Sequence, residues 1–93
     1  MAKNIWELEF TRNAQKDMEK VFKDKILKSR VYELLKILQE NPYMEYPPQK
    51  RLKGGMGGYY SRRINDKHRI VYIIDDTERV VKILAMWSHY ENL

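Results

Sequence analysis

Arginine and histidine residues in the middle and near the end of the chain have the chemistry needed to cleave RNA. Cleavage through the 2′-hydroxyl requires a base for the hydroxyl proton, cations around the phosphate oxygens and an acid for the leaving 5′ oxygen. Arg63 and Arg69 can each hold a phosphate through two parallel hydrogen bonds, which lysine cannot copy. His89 can act as the acid, because the ordinary pKa of histidine, about 6.5, lies near neutral pH.

The charge around these arginines is one-sided. Residues 50–69 contain seven basic residues and a single acid, Asp66. The basic residues are Lys50, Arg51, Lys53, Arg62, Arg63, Lys67 and Arg69. A solvated surface usually mixes both signs, so the imbalance indicates an anionic partner such as RNA. The net charge of +5, from 18 Lys+Arg and 13 Asp+Glu, points the same way.

The aromatic residues and the C-terminal histidine leave alternatives open. Tyr59, Tyr60 and Tyr90 can stack on RNA bases, but tyrosines on exposed sheet faces are also common without that role. His89 can equally be a terminal residue without a function.

The composition excludes several classes of protein. The chain has no cysteine, which rules out a disulfide framework and a thiolate metal site. Its two histidines lack partners at metal-ligand spacing, so no metal or other cofactor is expected. No apolar run is long enough to span a membrane and no signal-peptide region is visible, so a cytoplasmic location is expected. At 93 residues, the chain is predicted to form one domain over 1–93.

The N-terminal half predicts one strand and two helices. Alternation over residues 4–10 predicts a strand that exposes Glu7 and Glu9, and Thr11 can cap the helix that follows. Two apolar stripes at helical spacing, separated near residues 23–25, predict two helices that pack as a hairpin. The stripes are Ala14, Met18, Val21 and Phe22, then Leu27, Val31, Leu34, Leu35 and Leu38. Asp17 is expected to face water, and Asn41-Pro42 to end the second helix.

The C-terminal half predicts strands. Residues 59–72 form a basic β-hairpin with a polar turn, residues 50–53 a short strand before it, and residues 79–87 a final strand. The fold class is therefore α+β, with both helices on one face of a small antiparallel sheet and the other face open. Arg63 and Arg69 can reach one phosphate only if they share a face. That condition requires an odd-length turn, for example one with Asn65 opposite Arg69.

From about Trp6 to Tyr90 the chain resembles the Txe/YoeB family of RelE-superfamily toxins. The resemblance is sharpest in Ser-Arg-Arg-Ile-x-x-x-His-Arg-x-Val-Tyr at residues 61–72 and in His89-Tyr90. It implies a RelE/YoeB-like fold and an endoribonuclease of a type II toxin–antitoxin system. Such an enzyme would cleave messenger RNA in the ribosomal A site and so inhibit translation. The implied partners are the ribosome, messenger RNA and a YefM-like antitoxin, and a homodimer is left open.

The resemblance also implies roles for individual residues. Arg69 matches the arginine that stabilises the phosphate, His89 the general acid and Tyr90 its aromatic neighbour. Lys53 and Arg63 match supporting basic positions. The remaining expected RNA contacts are Arg62 and Tyr59.

Residue 50 departs from the family pattern. The family commonly has glutamate there, proposed as the general base, and this chain has Lys50. A charged ammonium group cannot accept a proton, so Lys50 is a base only if burial among cations lowers its pKa. Glu45 is another source of a carboxylate. The alternative functions are an attenuated or non-catalytic module that binds RNA or the ribosome, and a domain that binds an acidic peptide.

Overall fold

The computed structural model describes residues 6–52 and 58–87, which contain two helices and five strands. The helices are α1 (Arg12–Val21) and α2 (Lys25–Glu40). The strands are β1 (Glu7–Phe10), β2 (Gln49–Leu52), β3 (Tyr59–Arg63), β4 (Arg69–Asp75) and β5 (Val80–Ala85). Within these residues, neither helix is long and apolar enough to cross a membrane.

The strands form one sheet in the order β1-β5-β4-β3-β2. Neighbours from β2 to β5 are antiparallel, and β1 pairs with β5 in parallel. The predicted α+β class is confirmed, but the sheet is mixed where an antiparallel sheet is predicted, because β1 pairs in parallel. Alternation within a strand does not indicate the direction in which it pairs. Parallel neighbours need a long connection, and here α1, α2 and the strands β2 to β4 separate β1 from β5 in the chain.

Side-chain caps and proline set the helix boundaries, at Thr11 and Asn41 as predicted and at Asp24 where the sequence indicates only a break. The Thr11 hydroxyl accepts a hydrogen bond from Ala14 N at 3.1 Å, which satisfies a donor of the first turn of α1. Asp24 caps α2 by accepting from Ile26 N and Leu27 N at 2.9 and 3.2 Å. Asn41 ends α2 in an extended conformation directly before Pro42.

The helices cover one face of the sheet, here called the covered face. The predicted apolar stripe of α2 is entirely buried against Ile70, Tyr72, Val81 and Ile83. Successive side chains alternate along a strand, so their neighbours Arg69, Val71 and Lys82 point to the opposite side, here called the open face. The covered face thus carries the apolar core, whereas the open face mixes charged residues such as Arg69 and Lys82 with apolar ones such as Val71.

Asp17 is a correction to the sequence analysis. It was expected to face water, but it is 7% exposed and its Oδ2 accepts a hydrogen bond from Met86 N at 3.0 Å. Met86 follows the last residue of β5, where the sheet no longer provides an acceptor for this amide. A buried amide needs an acceptor, and the helix supplies one from a residue that local periodicity assigns to the surface.

Candidate nucleic-acid interface

The hairpin of β3 and β4 brings two arginines together on the open face. Arg63 lies directly opposite Arg69, and Ser61 lies opposite Val71. Residues paired in this way share a face, so the predicted common face of Arg63 and Arg69 is confirmed. The odd-length turn is also present, although the example register with Asn65 opposite Arg69 is not the one adopted.

The turn between these strands is held by the side chain of Asn65. Its Oδ1 accepts hydrogen bonds from Lys67 N at 2.9 Å and His68 N at 2.7 Å, and Ile64 N donates to His68 O at 2.8 Å. Asparagine favours such a turn because its side chain mimics a backbone acceptor. The turn therefore fixes the register that places the two arginines opposite each other.

Two like charges directly across a strand pair disfavour folding unless an anion or a counter-ion lies near them. The closest acid recorded for Arg63 is Asp66, whose Oδ1 is 4.0 Å from Nη1. The two side chains are 68% and 100% exposed, and ion pairs of this kind add little stability. A phosphate bound between the two side chains would offset this repulsion.

Arg69 is oriented by a buried hydroxyl. Its Nε donates a hydrogen bond to Ser61 Oγ at 2.9 Å, and Ser61 is fully buried. Because a guanidinium group is planar, a bond at Nε fixes the plane in which its terminal nitrogen atoms lie. Ser61 also pairs with Lys50 of β2, so Lys50 and Arg69 approach the same residue from the two neighbouring strands.

The predicted site residues fall into three groups. Lys50, Arg63 and Arg69 share the open face, and the register adds Tyr59, which is half-buried. Lys53, His89 and Tyr90 lie outside the described residues. Arg62 lies on the covered face.

The expected RNA contact of Arg62 is wrong for this fold. Its side chain is fully buried, and its guanidinium group donates to the Tyr72 hydroxyl, to carbonyl oxygens of residues 42, 44 and 47 and to Gln49 Oε1. A group enclosed in this way cannot reach a ligand on the open face. The sequence contained the information needed to place Arg62. Side chains alternate along a strand, so Arg62 must point away from the side that carries Ser61 and Arg63.

Glu45 lies in a segment whose backbone is held from the covered face. Arg62 on the covered face holds the carbonyl oxygens on either side of Glu45, those of Met44 and Pro47. Lys50 and Arg69, in contrast, lie on the open face. The geometry favours Lys50 over Glu45 as the residue that meets a phosphate on the open face.

Sequence reasoning missed the residues that support the site from behind. Tyr72 is fully buried, and this burial raises the pKa of its phenol to about 12. The charge of Arg62 and its hydrogen bond to the phenol lower the pKa, but by less than burial raises it. The phenol is therefore neutral near pH 7 and donates its proton to Gln49 Oε1. Within residues 6–52 and 58–87, no cluster of three His, Cys, Asp or Glu residues could hold a metal ion.

A model described as a YoeB-like toxin of bacterial type II toxin–antitoxin systems matches residues 10–90. The protein named Toxin YoeB from Synechocystis sp. is 38% identical over 68 residues, which cover 73% of this chain and 77% of the relative.

Solved structures of this family have the same fold. A YoeB dimer from Staphylococcus aureus has 35% sequence identity and a TM-score of 0.80, and the match covers 92% of this chain and 99% of the other. A YoeB–YefM complex from the same organism has 33% identity and a TM-score of 0.75, with 91% and 98% covered.

Proposed function

Because the chain belongs to the YoeB-like toxins of bacterial type II toxin–antitoxin systems, we propose that it is a ribosome-dependent endoribonuclease that cleaves messenger RNA in the A site. The observation that carries this proposal is the pairing of Arg63 with Arg69 on the open face, with Ser61 orienting Arg69. The pair provides cationic hydrogen-bond donors next to the phosphate, which gains negative charge in the transition state.

The proposed reaction is attack of the 2′-hydroxyl oxygen on the adjacent phosphorus. A bond forms between O2′ and phosphorus, and the bond from phosphorus to O5′ breaks. The O2′ proton leaves to a base, and His89 gives a proton to O5′. Arg69 contacts the non-bridging oxygens, with Arg63, Lys53 and Lys50 adding positive charge, while Tyr59 and Tyr90 contact bases.

In the proposed mechanism, the lysine at residue 50 limits the cleavage rate, because the site then lacks a carboxylate base. It is exposed on the open face beside Ser61, where a carboxylate would be able to take the O2′ proton. An ammonium group at that point stabilises phosphate charge but does not accept a proton. Water is then the remaining base, and cleavage is slow relative to a variant with a carboxylate.

The proposed partners follow from the same surface. The Staphylococcus aureus relative forms a complex with YefM. We expect a YefM-like antitoxin to cover the basic residues of this chain with acidic side chains, in an interaction that weakens with salt. A homodimer like that of the Staphylococcus aureus relative is a second proposed assembly. The site of action is the cytoplasm, where ribosomes translate messenger RNA.

Primer extension on a translated messenger tests the proposal. Purified protein is added to a reconstituted translation reaction and, in parallel, to the same messenger without ribosomes. We expect new 5′ ends at A-site codons only where ribosomes are present, and their loss on addition of the antitoxin. Intact messenger in both reactions, at protein concentrations that saturate the ribosome, would contradict the proposed activity.

A non-catalytic module is the second candidate, and Lys50 is the observation that favours it. Such a protein would bind ribosomes or RNA through the same arginines, and its affinity would fall as salt rises. Binding of this kind without any cleaved product distinguishes it from the enzyme. Binding to an acidic peptide alone, without affinity for RNA or ribosomes, would identify a protein-interaction domain instead.

A further inference from the structure

Arg62 is the centre of a buried network that connects β3 to the segment before β2. Its Nη2 donates to Met44 O at 2.7 Å and to Pro42 O at 3.1 Å, and its Nη1 donates to Pro47 O. Its Nε donates to the Tyr72 hydroxyl at 2.9 Å. One side chain thus holds three carbonyl oxygens of residues 42–47, which form neither helix nor strand.

The chemistry of these bonds explains why an arginine occupies the position. Burying a charge is costly unless each of its donors finds an acceptor. A guanidinium group presents donors in several directions within one plane, so it can bind separate carbonyl groups simultaneously. A lysine has a single ammonium group and cannot span the same acceptors. The acceptors recorded for Arg62 are all neutral oxygens, so the network depends on their number and geometry.

The network continues into β2 through Tyr72 and Gln49. The Tyr72 hydroxyl accepts from Arg62 and donates to Gln49 Oε1, which also lies 3.5 Å from Arg62 Nη2. Gln49 is the first residue of β2 and pairs with Arg62 across the strands. The start of β2 is therefore fixed both by its backbone pairing and by its side chain.

Strand β2 needs such support because it is short and lies at the edge of the sheet. It contains four residues and, among the strands of residues 6–52 and 58–87, it pairs with β3 alone. Short edge strands open more readily than central ones. Lys50 is the second residue of this strand, so any shift of β2 moves Lys50 relative to Ser61 and Arg69.

We propose that Arg62 is a positioning residue that holds the segment 42–48 and the edge strand β2, and thereby sets where Lys50 lies on the open face. Ser61, Arg62 and Arg63 then have three different tasks. Ser61 orients Arg69, Arg62 holds the neighbouring strand from the covered face, and Arg63 faces the anion. The effect on activity rests on the proposed function, whereas the effect on β2 does not.

Hydrogen exchange measures the structural part without reference to RNA. Tyr72→Phe removes the hydroxyl that links Arg62 to Gln49 and keeps the buried ring, and Arg62→Lys keeps the charge but not the geometry. We expect amides of residues 43–52 to exchange about tenfold faster in both variants, as loss of one buried hydrogen bond suggests. Amides in the centre of α2 should keep their wild-type rates. Tyr32→Phe is the matched control, since Tyr32 is 52% exposed on α2 and outside the network.

Two outcomes of the exchange experiment would overturn the proposal. One is unchanged exchange over residues 43–52 in Tyr72→Phe. The other is an equal increase in β2 and α2, which would make the network a general stabiliser of the fold. If Arg62→Lys does not fold, Tyr72→Phe decides the question alone.

The activity part uses single-turnover cleavage on programmed ribosomes. We expect Tyr72→Phe to lower the cleavage rate about tenfold at saturating ribosomes. In a Lys50→Ala background the same change should lower the rate less, because the Lys50 ammonium group through which it acts is already absent. Equal effects in both backgrounds would contradict positioning of Lys50. Absence of cleavage by the wild type would refute the proposed function, and the exchange result would still decide the role of Arg62.

Discussion

At the scale of single residues, the open face depends on how Arg69 is oriented. Arg69 Nε bonds to Ser61 Oγ, and Ser61 lies fully buried between Lys50 and Val71 in the sheet. The hydroxyl contributes no charge. Its role in the account is to fix the plane of the guanidinium group before RNA binds, which avoids an entropic cost in the transition state.

Ser61→Ala tests this role of the hydroxyl. We expect the single-turnover cleavage rate to fall about tenfold, as loss of one hydrogen bond to a charged group suggests, with little change in ribosome affinity. Ser29→Ala, on an exposed position of α2, is the matched control. A cleavage rate equal to that of the control would show that Arg69 does not need this bond.

Lys50 gives a second prediction at the residue scale. Lys50→Glu should increase the cleavage rate, because a carboxylate can take the O2′ proton and general base catalysis contributes about 10²–10⁴-fold. His89→Ala should lower the rates of both forms. If Lys50→Glu cleaves no faster than wild type while Lys50→Ala is inactive, the prediction is wrong, and Lys50 is indispensable as the base itself or as a transition-state cation that glutamate cannot replace.

At the scale of elements, helix α1 fixes the end of β5 from which the chain continues to His89. The Thr11 hydroxyl and Asn13 Nδ2 each donate to Leu84 O at 3.1 Å, and Asp17 accepts from Met86 N. Trp87 then stacks on His68 of the β3–β4 turn, with ring centroids 4.2 Å apart. The point at which residues 88–93 begin is thus tied to α1 and to the hairpin.

Asp17→Ala tests this connection. It leaves the buried Met86 amide without its acceptor, so we expect the free energy of unfolding in urea to fall by about 1–3 kcal/mol. The cleavage rate should also fall, because His89 follows Met86 closely in the sequence. Asp17→Asn keeps an acceptor oxygen and should retain most of both. Equal losses in the two variants would mean that the charge of Asp17, and not the hydrogen bond, is what matters.

Local patterns predicted the elements, and long-range contacts determined what the patterns missed. The caps at Thr11 and the stripe of α2 follow from residues within one helix, so the sequence suffices for them. The burial of Asp17 and the parallel pairing of β1 depend on β5, which is distant in the chain. The shared face of Arg63 and Arg69 was predictable from alternation once the length of the turn was assumed. The roles of Lys53, His89 and Tyr90 stay predictions from the resemblance.

At the scale of the whole molecule, the open face has a basic end and an acidic end. Lys50, Arg63 and Arg69 lie on β2, β3 and β4. The opposite end, around β1 and the β4–β5 turn, carries several acids, with Lys82 among them. These acids are Glu7, Glu9, Asp75 and Glu78. Repulsion from this end should keep the RNA backbone over β2 to β4.

The salt dependence of RNA binding tests this division. Three phosphate contacts to a single strand predict a slope of about −2 in a plot of log affinity against log salt concentration. Arg63→Ala should reduce the magnitude of that slope by about 0.7. Glu9→Gln, at the acidic end, should leave the slope unchanged. A slope near zero, or a larger effect of Glu9→Gln than of Arg63→Ala, would place the RNA elsewhere.

The most direct test of the central claim is the single-turnover cleavage rate of Arg69→Ala on ribosomes programmed with a defined messenger. Lys36→Ala is the charge-matched control, because Lys36 is exposed on α2, on the side of the molecule away from the open face. Removal of a cation that stabilises the transition state should lower the rate by about 10²–10³-fold. We expect that loss for Arg69→Ala and a wild-type rate for Lys36→Ala. A wild-type rate for Arg69→Ala would contradict the claim that the β3–β4 hairpin holds the scissile phosphate.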